Sequence, residues 1–359
     1  MSRLFQTLGF KNGSVMKNRF MLAPLTNTQS HEDGRLSDDE YRFLTMRAKG
    51  GFGLTMTCAS HVQANGKGFP GQLGCFSDSH LEGLTRLANG IKAHNSLAVL
   101  QLHHAGMRSP AEQIEGQPVC PSDNEKTGAR ALSLAEVEQL REDFILAAER
   151  AEKAGFDGVE LHGAHGYIIC QFLSSGINRR NDCYGGSLEN RARLLAEIID
   201  GVRQRCRPGF LLGVRLSPER FDMKIKEVIE LAQTLITEDK IDFLDMSLWD
   251  VYKEPVEEPF QGHTLLSYFT TLERGKVRLG VAGKINTGQD AKHCLESGAD
   301  FVILGRAAIL HHDFPLQIHS NPDFAPVKLP VTPAYLHRQG LGEAFIKYMS
   351  GWEGFVKPL

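Results

Sequence analysis

His162-Gly163-Ala164-His165-Gly166-Tyr167 sets two imidazoles and a phenol within one short stretch, directly after the apolar run Phe156-Asp157-Gly158-Val159-Glu160-Leu161. Imidazole donates hydrogen bonds to an oxygen near neutral pH, and a tyrosine hydroxyl can deliver a proton. If the run is a buried strand, these side chains stand on the loop at its carboxyl end, where parallel α/β folds place their active sites. The chemistry on offer is polarisation of an oxygen followed by protonation. Two other roles compete. A helical His-x-x-His pair can hold zinc, but catalytic zinc needs a third ligand, and the common motif has a glutamate where Gly163 stands. The histidines can also be ordinary buried or surface polar residues, so the surrounding segments must decide.

Two further polar side chains interrupt apolar runs. Gln101 lies in Leu97-Ala98-Val99-Leu100-Gln101-Leu102, and Arg215 in Leu211-Leu212-Gly213-Val214-Arg215-Leu216. Burying such groups without a partner is costly, so each implies a neighbouring carboxylate or a shared polar ligand. Val281-Ala282-Gly283-Lys284 and Ile303-Leu304-Gly305-Arg306 each end an apolar run with a glycine and a base. Glycine lets backbone N–H groups approach a phosphate, and barrel phosphate sites use the loops of the last two strands. Either Gly-base pair alone is weak; together they point to a phosphorylated ligand.

The elements that must carry these residues alternate. Eight runs read as strands: Phe20–Leu25, Gly53–Ala59, Leu97–Leu102, Phe156–Leu161, Phe210–Leu216, Ile241–Met246, Val277–Val281 and Phe301–Leu304. Between them lie amphipathic segments, best seen from Ser133 to Ala154. Ser133 and Glu136 match a capping box, apolar residues from Val137 to Ala151 recur at three-to-four spacing, and Gly155 follows as the stop. Ser187–Cys206, Lys224–Thr237 and Thr287–Ser297 read the same way. Ala154-Gly155-Phe156-Asp157 and Ser297-Gly298-Ala299-Asp300 echo one another, each with a Gly two residues ahead of an Asp that opens a strand. Strand–helix alternation repeated eight times predicts a (β/α)8 TIM barrel, with a doubly wound open sheet as the alternative. Asn12-Gly13 predicts a two-residue β-hairpin ahead of the barrel. Pro118–Arg130 and Trp249–His263 read as long loops over its C-terminal face.

The 359 residues suit a single barrel domain, with 1–19 as the N-terminal hairpin and 320–359 as a C-terminal extension. Forty basic against 43 acidic residues, with no dense basic block, argues against a nucleic-acid or polybasic membrane partner. Seven scattered cysteines without Cys-x-x-Cys spacing suit a reducing compartment. Neither a signal-peptide core nor a run near the ~18 apolar residues of a membrane span is present, so a cytoplasmic location is expected.

The ordered motifs resemble the Old Yellow Enzyme family, FMN-dependent ene-reductases related to NADH:flavin oxidoreductases. The resemblance runs from about Leu4 to the region of Asp313. It rests on Lys17 through Thr26, Gln101-Leu102-His103-His104-Ala105-Gly106, His162 through Tyr167, Asn178 through Arg191, Arg215 and Gly305-Arg306. It implies one FMN-binding barrel, NADPH or NADH as reductant, and an electrophilic alkene as substrate. By that resemblance Ala23, Pro24, Leu25 and Thr26 meet the isoalloxazine edge, with Ala59 beside them. Gln101 bonds the flavin pyrimidine, and Arg215 faces its N1/O2 side. Gly283, Lys284, Gly305 and Arg306 hold the phosphate. His162 and His165 bind an activating carbonyl or nitro oxygen, and Tyr167 protonates the α-carbon after hydride reaches the β-carbon. No metal is implied.

The chain mixes features of two branches of the family. Thr26 matches the classical branch, whereas thermophilic-like members commonly have Cys; the second histidine, His165, matches the thermophilic-like branch. Thr28 stands where that branch often has Tyr, and Lys284 replaces a more usual apolar residue. Ser350-Gly351-Trp352 resembles an Arg-Gly-Trp tail that some relatives insert into a neighbouring subunit, without its arginine. This leaves Trp352 a choice between a cross-subunit role and simple packing, within an expected homodimer or higher homo-oligomer. Competing functions are an amine, N-methyl or dienoyl-CoA-type oxidoreductase, a non-catalytic FMN-binding protein and a metal-dependent hydrolase. The larger relatives that run the first reactions add an iron–sulfur cysteine cluster and nucleotide-binding domains that this sequence does not show, and the second function needs no proton donor.

Overall fold

The eight apolar runs pair edge to edge as a closed parallel barrel in a computed structural model that describes residues 3–358. The strands in chain order are β1 (Leu8–Gly9), β2 (Val15–Met16), β3 (Phe20–Leu22), β4 (Leu54–His61), β5 (Leu97–His103), β6 (Val119–Cys120), β7 (Arg130–Ala131), β8 (Gly158–Gly163), β9 (Leu211–Leu216), β10 (Phe243–Ser247), β11 (Arg278–Ala282) and β12 (Phe301–Leu304). The helices are α1 (Asp38–Lys49), α2 (Leu81–Lys92), α3 (Leu134–Lys153), α4 (Ile168–Leu173), α5 (Leu188–Arg205), α6 (Ile225–Thr237), α7 (Leu265–Thr270), α8 (Gly288–Glu296), α9 (Arg306–Leu310), α10 (Phe314–Ser320), α11 (Pro333–Arg338) and α12 (Glu343–Ser350). Barrel strands β3, β4, β5, β8, β9, β10, β11 and β12 follow one another around the ring, and β12 closes on β3. Helical segments separate successive barrel strands, so the fold is the (β/α)8 TIM barrel and not an open sheet.

Capping fixes where the helices begin. Ser133 Oγ accepts from the Glu136 N–H at 3.3 Å while Glu136 Oε2 accepts from the Ser133 N–H at 2.8 Å, which closes the expected capping box on α3. Losing the Ser133 hydroxyl costs about 1 kcal/mol. Thr287 closes a second capping box with Asp290 on α8, and the Ser187 hydroxyl caps α5 by accepting from the Asn190 N–H. The echoed Gly-x-Asp pairs also gain a physical meaning. Asp157 Oδ2 accepts from the Ala98 N–H at 2.8 Å, and Asp300 Oδ2 from the Leu279 N–H at 2.9 Å, so each carboxylate ties down the start of the preceding barrel strand.

Three expectations need correction. The Asn12-Gly13 hairpin exists as β1 paired with β2, but its loop spans Phe10 to Ser14. Gly13 alone takes positive φ, at 92°, while Asn12 Oδ1 accepts from the Ser14 N–H at 3.0 Å, so the asparagine acts through its side chain. The run at Phe156–Leu161 forms its strand two residues later, which puts His162 within the ladder, opposite Arg215. The stretch Pro118–Arg130 is not wholly irregular, because β6 pairs in parallel with β7.

The hairpin matters to the core. Leu8, Phe10 and Met16 join Met21, Met56, Val99, Phe243, Phe301 and other residues in a buried cluster separate from the larger core. Gly213 and Gly280 make space for the two phenylalanines: a Cβ on Gly213 would lie 2.1 Å from Phe243 Cζ, and one on Gly280 2.4 Å from the Phe301 ring. The barrel is therefore filled by side chains, and a ligand is left to the loops at the strands' carboxyl ends.

Candidate active site

Strand register brings the polar residues together. Gln101 is the ladder partner of both Ala59 and Glu160, His162 of Arg215, and Arg215 of Asp245. An irregularity in β4 between Met56 and Ala59 sets Ala59 opposite Gln101. The chain leaves β8 through a tight turn in which His165 adopts φ of 61°. That strained backbone is pinned on both sides: the His165 N–H donates to Ser217 Oγ at 3.0 Å, and Arg108 donates to the His165 carbonyl. His165 Nδ1 then stands 3.2 Å from His162 Nε2, and His165 Nε2 stands 2.8 Å from Ser247 Oγ. Tyr167 precedes α4, its ring 5.2 Å from that of His162 and 4.4 Å from that of His103.

Both histidines are held neutral. Burial lowers their pKa well below the ordinary histidine value, with the neighbouring positive charge of Arg215 and Arg108 acting in the same direction. Each imidazole therefore has one N–H to give. Burial raises the Tyr167 pKa while Arg108, whose guanidinium sits 4.8 Å over the ring, opposes the rise. The phenol stays protonated at neutral pH, with a cation beside it to receive the charge left by a departing proton.

Two adjoining chambers contain every residue assigned to catalysis or cofactor binding from the sequence. The smaller, about 200 Å³, is lined by Pro24, Leu25, Thr26, Ala59, Gln101, His162, His165 and Tyr167, with Tyr348, Met349 and Trp352 among the other walls. The larger, about 390 Å³, is lined by Ala23, Pro24, Leu25, His165, Arg215, Gly283, Lys284, Gly305 and Arg306, together with Ser247, Trp249 and Trp352. Thr28 lines neither. A still larger cleft of about 650 Å³ lies elsewhere, between the loop after β4 and α3, and holds none of these residues.

The chambers fit FMN. Arg306 and the Gly283 and Gly305 backbones line one end and would suit a phosphate. Ala23, Pro24 and Leu25 provide an apolar wall, and Arg215 with Gln101 a polar end suited to a pyrimidine. Gly283 has φ of 158°, and a Cβ there would lie 2.8 Å from the Asp250 backbone nitrogen, so only glycine fits. The Lys284 ammonium is engaged by Asp250 Oδ2 at 2.9 Å. Among the described residues, no group of three or more His, Cys, Asp or Glu is arranged to hold a metal ion. Likewise, no described helix is long and apolar enough to cross a membrane.

Sequence reasoning missed several residues of the site. Glu160 and Asp245 are fully buried polar interruptions of apolar runs, the very signal that singled out Gln101 and Arg215. Ser247 closes β10 just past the run that was read as a strand. Arg108, Tyr348 and Met349 reach the site from outside the barrel strands, where no periodic pattern marks them. Trp352 lines the chambers of its own chain and contacts Tyr348, with ring centroids 6.2 Å apart.

Comparison with known proteins identifies the family. The NADH:flavin oxidoreductase / NADH oxidase family matches residues 3–323. The probable NADH-dependent flavin oxidoreductase YqiG of Bacillus subtilis (strain 168) is 36% identical over 326 residues, covering 88% of this chain and 87% of the relative. An NADH:fumarate oxidoreductase of Klebsiella pneumoniae (strain 342) is 32% identical over 379 residues and covers 99% of this chain, which spans only 41% of that relative. Among solved structures, the Old Yellow Enzyme homologue of Zymomonas mobilis superposes with a TM-score of 0.80 at 29% identity, covering 94% of this chain and 96% of that one. Morphinone reductase in complex with tetrahydroNAD reaches 0.79 at 27% identity, covering 100% and 98%. The chain thus belongs to the NADH:flavin oxidoreductase / NADH oxidase family, within the Old Yellow Enzyme group, and is an NAD(P)H-dependent FMN oxidoreductase.

Proposed function

We propose that the protein reduces the C=C bond of small α,β-unsaturated carbonyl or nitro compounds. The observation that carries this reading is the 3.2 Å approach of His162 Nε2 to His165 Nδ1 beside the Tyr167 ring. Two neutral imidazoles converging at one point can both donate to a single oxygen placed there. Bound FMN, reduced by NADH or NADPH, supplies the hydride that reaches the β-carbon. His162 and His165 hold the activating oxygen and stabilise the negative charge that grows on it, the work of an oxyanion hole. Tyr167 delivers its proton to the α-carbon. Ala23 to Thr26, Ala59, Gln101, Arg215, Gly283, Lys284, Gly305 and Arg306 bind the cofactor, and Tyr348, Met349 and Trp352 wall the substrate side.

The chain would act as one barrel unit in the reducing cytoplasm, alone or as a homo-oligomer. An amine-oxidising or dienoyl-CoA-type reaction would use the same flavin, but has less need of two converging N–H donors beside a phenol. The test is NAD(P)H consumption with cyclohexenone, monitored together with the saturated ketone formed. Matched consumption and product support the reading. Consumption without ketone would assign the electrons to another acceptor.

A further inference from the structure

Behind Gln101 and Arg215 lies a buried carboxyl pair that the reaction above does not use. Glu160 of β8 and Asp245 of β10 are both 0% exposed, and their carboxyls lie within hydrogen-bonding reach of each other. The groups facing them come from each neighbouring strand. Gln101 of β5 donates to Glu160 Oε1 at 2.7 Å, and Arg215 Nε of β9 is 3.1 Å from Asp245 Oδ2, an ion pair without hydrogen-bond alignment. Glu160 Oε2 and both Asp245 oxygens have no hydrogen-bond donor. Ionised carboxylates are acceptors only, so two of them in contact, with no donor between, need a proton.

One guanidinium also cannot neutralise two carboxylates in a site this deep. Burial raises both groups, Asp245 to about 6, while Glu160, which also faces the Asp245 charge, rises further; Asp245, opposed by Arg215, is the partner that keeps its charge at neutral pH. In that state Asp245 cancels much of the positive charge that Arg215 presents to the larger chamber.

We propose that Glu160 and Asp245 share one proton and take up a second when FMN is reduced, making Asp245 a switchable counter-ion to Arg215. Hydride from NAD(P)H brings two electrons and one proton and leaves one added negative charge on the cofactor. A solvent proton joins the carboxylate of the pair, so the Arg215 charge is freed to face the reduced flavin. Loss of hydride to an acceptor releases that proton again. The inference rests on FMN occupying the larger chamber but not on the identity of the acceptor.

The test is the FMN midpoint potential of the holoenzyme, equilibrated against a reference dye from about pH 7 to about pH 9. Uptake of two protons per electron pair gives the wild type a potential-versus-pH slope twice that of Glu160→Gln/Asp245→Asn, which has no carboxyl left in the pair to titrate and retains only the hydride proton. Equal slopes in the two proteins overturn the proposal. Should Glu160→Gln/Asp245→Asn lose FMN, reduction-induced infrared difference spectra of the wild type decide. A carboxylic-acid carbonyl band that gains intensity on reduction and shifts in D₂O supports the second proton; its absence overturns it. Neither readout involves an alkene, so a failed cyclohexenone assay leaves this result independent.

Discussion

His165 Nε2 lies 2.8 Å from Ser247 Oγ, and Arg215 Nη2 donates to the same oxygen at 3.4 Å. While accepting from Arg215, the Ser247 hydroxyl can give its own hydrogen to Nε2 of the His165 tautomer that carries its proton on Nδ1. That arrangement supports the tautomer our proposed function requires, with the His165 proton on Nδ1, the nitrogen beside His162. Ser247→Ala removes this control while leaving both histidines in place. The expected outcome is a fall of about tenfold in kcat/KM for cyclohexenone, corresponding to about 1.4 kcal/mol. FMN content should be unchanged. Steady-state kinetics beside the flavin-to-protein absorbance ratio check it.

Tyr167→Phe keeps the ring contacts with His103 and His162 but removes the proton donor. General-acid catalysis is worth about 10²- to 10⁴-fold. Turnover of an enone that needs protonation at carbon should fall within that range, while reduction of the bound FMN by NADPH keeps its rate. Stopped-flow absorbance separates the two steps. Because burial raises the phenol's pKa, its ionisation should not limit turnover below the ordinary tyrosine range.

Arg108 touches both halves of the donor set, over the Tyr167 ring and on the His165 carbonyl. Arg108→Ala should therefore damage both the oxygen-binding turn and proton delivery. A loss larger than that of Tyr167→Phe in the same assay is the expected outcome, whereas a role confined to the phenol would make the two losses equal.

Stability should depend on pH through the buried histidines. Burial lowers His61 from 6.5 to about 4, so between those values the unfolded chain binds more protons than the fold. Stability from this group is present above pH 6.5 and is lost as pH falls toward 4. Buried Glu40, raised by desolvation, works with the opposite sign. His61→Gln should reduce the loss of unfolding free energy between about pH 6.5 and about pH 5 by up to about 2 kcal/mol. Denaturant titrations of both proteins at the two pH values test the difference.

What was legible in the sequence was whatever periodicity and capping encode locally. All eight barrel strands and the helices α3, α5, α6 and α8 could be read, with their ends set by Ser133, Ser187 and Thr287. The residues His162, His165, Gln101 and Arg215 could also be placed, because polar groups in or just after apolar runs must meet something. The relation of His165 to Ser247 could not, since it depends on barrel closure bringing β8 and β10 to one chamber. Nor could the walls made by Tyr348 and Trp352, which come from a C-terminal segment whose docking no local pattern specifies. The hairpin loop was misread because Asn12 bonds through its side chain instead of taking positive φ.

The most direct test of the central claim is the oxidative half-reaction in wild type and in His162→Ala/His165→Ala. FMN is first bleached anaerobically by chemical reduction, and cyclohexenone is then added while flavin absorbance is followed. Recovery in the wild type, slowed by about 10²-fold or more in the double variant at equal FMN content, is the predicted result. Recovery at the wild-type rate in the double variant would contradict the account.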